Sequence, residues 1–146
     1  MIRAVRIVRA GDWDIARAVD VITLDYDHRY RRRIRLRSDQ GLEILLDLPE
    51  AVHIRAGDGL DCGPDGVVLV RAAVEAIAEI SGDPALLIRL AWHLGNRHLD
   101  VAFGDQTLLI RSDHVIEAMI QGLGGQVVRR MAAFDPESGA YAHDHG

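Results

Sequence analysis

Lysine is absent from the 146 residues, and all 17 basic side chains are arginine. We read that as a genomic composition bias rather than a functional device. Cysteine occurs once, at Cys62, so no internal disulfide can form and no CxxC metal knuckle exists. A lone loop thiol of this kind is expected to be semi-buried and inert. Long apolar runs are also missing. None exceeds four residues, which excludes a membrane-spanning helix. The N-terminal Met1-Ile2-Arg3-Ala4-Val5-Arg6 is broken by arginines and lacks the apolar centre of a signal peptide. The expectation is a cytoplasmic protein with no membrane contact. Aromatics make up only 5% of the chain, which weakens any case for nucleic-acid stacking.

What remains is a chain 49% hydrophobic, enough to bury a core. Its charge is uneven. Residues 1–73 hold 12 arginines against 12 acids, whereas residues 74–146 hold 5 against 10. The net charge of −5 therefore lies in the second half, which disfavours nucleic acid and favours cations.

The first half, 1–73, reads as short strands between glycine turns. Val21, Ile22 and Leu24 suggest one strand. From Arg31 to Arg37, period two puts Arg31, Arg33, Arg35 and Arg37 on one face and Arg32, Ile34 and Leu36 on the other. Asp39-Gln40-Gly41 turns the chain into a second strand, Leu42 to Leu48, which Pro49-Glu50 is expected to break. Turns at 57–59 and 63–66 precede a strand over Val67 to Val70. A small β-barrel or sandwich fits this pattern. The arginine face is either solvated, with Glu43 and Asp47 as cross-strand partners, or a contact face for an acidic protein.

In the second half the period changes. A strand over Glu75 to Ile80 is followed by Asp83 as N-cap and Pro84 at the first helical position. Leu86, Leu87, Leu90, Ala91 and Leu94 form one helical stripe, with Gly95 expected as the left-handed residue that ends it. Strands over Leu99 to Phe103 and Thr107 to Arg111 flank a turn. Ser112 or Asp113 caps a second helix, whose apolar residues Val115, Ile116, Met119, Ile120 and Leu123 repeat the first helix's spacing. Gly124-Gly125 ends it, and Gln126 to Ala132 is a last strand. The order β-α-β-β-α-β is the ferredoxin-like pattern. The predicted fold class is thus α+β: a β-rich domain over 1–73, a ferredoxin-like domain over 74–134, and a short flexible C-terminal tail over 135–146.

Seven histidines carry the chemistry. His28 and His53 lie among turn residues with no sequence partner. His93 flanks the first helix's apolar stripe and suits the edge of a core. His114 opens the second helix, where the dipole disfavours the protonated form, so ligation and simple capping are both open. His98 follows the first helix, and spacing leaves it open between ligand and packing residue. In His143-Asp144-His145, an extended segment would turn both imidazoles one way. A two-fold dimer with His98 at its axis would bring two imidazoles to one ion, and the tails could add more. Imidazole ligation suits Ni²⁺, Cu²⁺ or Zn²⁺.

The run His93-Leu94-Gly95-Asn96-Arg97-His98 resembles the HLGNRH signature of the UreE family of urease accessory metallochaperones. The likeness continues through Asp113-His114-Val115 and Phe134-Asp135-Pro136-Glu137-Ser138-Gly139-Ala140-Tyr141. In the first half it includes Arg31-Arg32-Arg33, Asp39-Gln40-Gly41 and Leu46-Asp47-Leu48-Pro49. The resemblance implies a non-enzymatic homodimer formed through the second domain, with a first domain that binds a peptide or partner. It implies Ni²⁺ held by His98 at the interface with His143 and His145, and with His114 and His93 as lesser candidates; Zn²⁺ or Cu²⁺ can substitute. It implies delivery to the urease apoprotein assembly complex with its accessory GTPase. Ser112 stands where some relatives place an additional histidine, and Trp92 where tyrosine is usual. The alternative from composition is an interaction module that holds an acidic client on the Arg31–Arg37 strand, with metal incidental.

Overall fold

The computed structural model describes residues 1–137, which form two compact units, Met1–Ala73 and Val74–Glu137. The class is α+β, mostly strands with two α-helices.

The first unit contains β1 (Ile2–Ala4), β2 (Arg6–Val8), β3 (Asp20–Leu24), β4 (Tyr30–Arg37), β5 (Glu43–His53), β6 (Gly59–Asp61) and β7 (Val67–Ala72). They make a three-stranded sheet, β1-β5-β4, and a four-stranded sheet, β2-β6-β7-β3. Ile44, Leu46 and Leu36 from the first sheet share one core with Ile22, Leu60, Val68 and Val70 from the second. Among the described residues neither sheet closes on itself, so the barrel form of the expectation is corrected. At Gly59 of β6 the side chains of Val67, Val8 and Trp13 leave no room for a Cβ. A Cβ there would lie 2.4 Å from a Val67 methyl.

The hairpin at Asp39-Gln40-Gly41 forms as expected. Gly41 takes φ 90°, and Ser38 N–H donates to Leu42 C=O at 2.9 Å. One boundary differs. Pro49 does not end β5, which runs on to His53. Arg33 pairs with Asp47 but Arg31 pairs with Val52, so β5 bulges over Leu48–Ala51. A bulge relieves proline of its missing ladder donor, which is how the strand absorbs it. Cys62 is buried, and burial, aided by Asp61 and Asp65, pushes its thiol up to about 11.

The second unit contains β8 (Val74–Ser81), α1 (Pro84–Asn96), β9 (Ala102–Phe103), β10 (Leu108–Arg111), α2 (His114–Gly122) and β11 (Gln126–Ala133). The order β-α-β-β-α-β is therefore realised, in an antiparallel sheet arranged β11-β8-β10-β9. The strand expected from Leu99 shrinks to Ala102–Phe103: His98 and Leu99 belong to the helix exit described below, and residues 100–101 lie outside any strand. Ala78, Ile80, Leu108 and Ile110 of the sheet pack with Leu90, Leu94, Ile116 and Ile120 of the helices. Asp83 caps α1 by accepting from Leu86 N–H at 3.1 Å, ahead of Pro84.

Asp113 caps α2, accepting from Val115 N–H at 3.0 Å and Ile116 N–H at 3.2 Å. Buried Glu117 reciprocates, accepting from Asp113 N–H at 2.8 Å and the Ser112 hydroxyl at 3.2 Å. Arg129 of β11 reaches the same carboxylate, donating from Nε at 2.7 Å and Nη2 at 3.3 Å. The Arg129 hydrogen bond is the largest cause holding Glu117 below the usual carboxylate range. Burial opposes it, and the Asp113 amide adds to it. A carboxylate whose folded pKa is depressed stabilises the fold above its unfolded pKa, about 4.3. That contribution disappears as pH falls through the lower folded value. Glu117→Gln should therefore destabilise the second unit by about 1–2 kcal/mol at neutral pH. Urea unfolding followed from pH 7 downward should show the wild-type advantage shrinking below about pH 4.3; a gap that stays constant into acid would contradict this account.

Candidate metal centre

The helix exit at Leu94–Leu99 sets the site. α1 does not end at Gly95. That residue stays helical, and the left-handed residue is His98, at φ 58°. Leu99 N–H donates to Leu94 C=O at 3.1 Å, and His98 N–H donates to Gly95 C=O at 3.0 Å. This pair of bonds is the Schellman closure, with His98 at the position that glycine usually holds. Leu99 packs against the apolar cluster containing Leu94, the contact that accompanies such closures.

α2 supplies an internal comparison. Gly125 N–H donates to Ile120 C=O and Gly124 N–H to Gln121 C=O, both at 3.0 Å, with Gly124 at φ 101°. The two helices leave through the same hydrogen-bond pattern, one with glycine and one with histidine. Leu94 and Leu99 explain the shift of the exit past Gly95: the closure that lets Leu99 return to the core fixes His98, not Gly95, at the left-handed position.

The His98 side chain is exposed. It borders a cleft of about 390 Å³, also lined by Glu75, Asp100, Arg111, Ser112 and Asp113. His93 lies in the last turn of α1, half-buried, with its ring edge-on to Trp92 at 5.1 Å and 82°. His114 is exposed as the first residue of α2 and does not line the cleft. His143 and His145 lie outside the described residues. Among the described residues no three histidine, cysteine, aspartate or glutamate side chains converge on a point. Ser112 is engaged at Glu117, where it supports the α2 cap. Elsewhere, His28 Nδ1 lies 2.7 Å from Asp25 Oδ1, and His53 stacks on Tyr30 at 4.1 Å and 14°. Residue spacing missed two features, the backbone state of His98 and the Glu117–Arg129 pair. The Leu94/Leu99 pairing was the available signal for the first.

A β-rich unit followed by a β-α-β-β-α-β unit with an exposed histidine at a helix exit defines the architecture. No helix among the described residues is long and apolar enough to cross a membrane. The family model for the N-terminal domain of the UreE urease accessory protein matches residues 3–73, and that for its C-terminal domain matches residues 69–146. A urease accessory protein UreE of Bradyrhizobium sp. (strain ORS 278) is 50% identical over 150 residues, spanning 100% of this chain and 71% of that protein. The Rhodobacter capsulatus protein of the same name is 45% identical, over 100% of this chain and 94% of its own. That of Chelativorans sp. (strain BNC1) is 48% identical, over 99% and 90%. The chain belongs to the UreE family of urease accessory proteins.

Left-handed backbone costs a side-chain-bearing residue about 1 kcal/mol or more. His98→Gly should therefore be more stable than His98→Ala by about 1 kcal/mol in thermal or urea melts. Equal stability of the two variants would remove the backbone argument.

Proposed function

We propose that this protein is a homodimeric nickel carrier that binds Ni²⁺ through His98 of both copies, joined by His143 and His145, and delivers it during urease maturation. The carrying observation is the exposed His98 imidazole at the end of an apolar stripe on α1. Ile88 is 73% exposed and Trp92 63%, one helical turn apart. Large apolar side chains left in water on one helix flank favour burial against a second surface. Gly95 stands on the same flank. A Cβ there would meet nothing within 4 Å in its own chain. Its missing side chain therefore serves close approach from outside rather than local packing. A two-fold axis near this flank brings the two His98 residues together, which one chain's described part cannot do alone.

The tail has the reach to contribute. Glu137 N–H donates to Val101 C=O at 3.0 Å, so the chain departs beside the segment that follows His98. Six residues on, His143 lies within about 20 Å of extended chain from that anchor. The resulting set is imidazole-rich, which suits Ni²⁺, with Zn²⁺ and Cu²⁺ able to compete. An open set of imidazoles lets the ion leave, where a closed cage would retain it. His114 and His93 serve as secondary ligands at most. The receiving partner is the urease apoprotein assembly with its accessory GTPase, and the setting is the cytoplasm. The protein itself performs no catalytic step.

Calorimetric Ni²⁺ titration alongside solution mass measurement tests this reading. The expected result is a dimer binding one principal ion, with tight uptake lost in His98→Ala and His98→Gly. The Ile88→Glu/Trp92→Glu double variant should be a folded monomer with the same loss, since both positions are exposed. Imidazole binds only as the neutral base, so uptake should fall as the solution is acidified. A monomeric wild type, or tight binding that survives His98→Ala, sinks the interfacial site.

A further inference from the structure

One end of the helix-covered face in the second unit is left open, and the metal reading gives it no occupant. Ala78 and Ile80 of β8 pack under the helices, and Ile110 of β10 joins them. Alternate residues of a strand share a face, so Ala76 belongs to the same surface. It is nevertheless exposed, and Met131, its register partner on β11, is 63% exposed. Between Leu99, where α1 has left, and Ile116 in the first turn of α2, the floor of the cleft of about 390 Å³ is open. Ala76, Leu99, Ile110 and Ile116 make that floor apolar, while His98, Asp100 and Arg111 stand on its polar rim.

An apolar floor with a polar rim suits an aromatic ring that carries a hydroxyl. The volume lies at the lower end of the range for pockets that hold small ligands, about 300–1,000 Å³. Asp100 is exposed and has no hydrogen bond or ion pair among the described residues, which leaves its carboxylate open as an acceptor. The chain carries such a ring close by. Phe134 is fully buried, and Glu137 N–H donates to Val101 C=O at 3.0 Å, so the segment that follows starts beside the neighbour of Asp100. Of residues 138–146, Tyr141 alone has a large apolar side chain. It comes four residues after Glu137, about 13 Å of extended chain. A ring attached to the same chain meets the cleft at a high effective concentration, which a ring on a separate molecule lacks.

We propose that the cleft seats the ring of the chain's own Tyr141 and, given the nickel reading above, that the seated ring holds His143 and His145 at His98. The phenol hydroxyl donates to the Asp100 carboxylate at the rim, and the ring covers Ala76 and Ile110. In an extended run, residues 141, 143 and 145 share one face, so a ring turned to the cleft turns both imidazoles the same way. His143 then stands about 7 Å along the chain from Tyr141, beside the rim that His98 borders. Tyr141 is a positioning residue and not a ligand.

The test uses the full chain. In the metal-free protein, nuclear Overhauser contacts should connect the Tyr141 ring protons to the methyl groups of Ala76, Ile110 and Ile116. The contacts to Ile110 and Ile116 should vanish in Ala76→Arg, which fills the floor from an exposed position. In calorimetric titration with Ni²⁺ alone, Tyr141→Ala and Ala76→Arg should each weaken uptake about tenfold, and the double variant no further. Tyr141→Phe keeps the ring and should recover most of the loss. Absence of the ring contacts overturns the seat. Contacts that occur only between differently labelled copies assign the cleft to a second chain and overturn it as well. Contacts present with unchanged nickel affinity in Tyr141→Ala overturn the positioning role. The contacts are read without metal, so the seat and the nickel reading fail on different observations.

Discussion

The hydrogen bond from Leu99 N–H to Leu94 C=O organises the second unit. It forces the chain to reverse within four residues so that Leu99 can rejoin the core that Leu94 already occupies. That reversal requires one residue with positive φ, and the register of the closure assigns the duty to His98. The histidine's exposure, its place beside the cleft and its distance from the ordered end of the helix all follow from one backbone closure. A different apolar pairing would put another residue there and turn the imidazole elsewhere.

Much of this architecture can be read from the residues because local and tertiary preferences agree. Asp83-Pro84 starts α1 where cap and proline rules place it, and Asp113 does the same for α2. The alternation Arg31–Arg37 and the turn at Gly41 lead directly to the β4–β5 hairpin, with Asp47 and Glu43 opposite arginines. The family likeness rests on similar runs in both halves. Where reading fails, a longer-range demand has overridden a local rule. Pro49 signals a strand end, yet the bulge over Leu48–Ala51 carries β5 past it. Gly95 signals a helix end, yet the return of Leu99 postpones it.

Other features have no local signature at all. Glu117 and Arg129 meet because α2 packs on β11, and nothing in their separation along the chain announces it. Arg29 is similar. In a chain where arginines crowd one strand face, this one is buried, with Nε donating to Leu24 C=O and Nη1 to Ile54 C=O, each at 3.2 Å. Periodicity assigns faces, but it cannot tell an arginine that solvates a surface from one that satisfies interior carbonyls.

The two helix exits show why stability alone does not account for residue 98. Gly124 and His98 close their helices by the same pair of backbone bonds. Glycine adopts the required φ with no side-chain clash, so an exit selected only for folding would carry glycine at both places. Gly95, three residues earlier, holds glycine's freedom where the backbone does not use it. The chain thus places glycine where a side chain would fit and histidine where a side chain is strained. Local folding energetics would invert that arrangement. It is accounted for if the flank carrying Gly95 must admit another surface while position 98 must supply an imidazole to it, so the strain at His98 and the open space at Gly95 express one requirement.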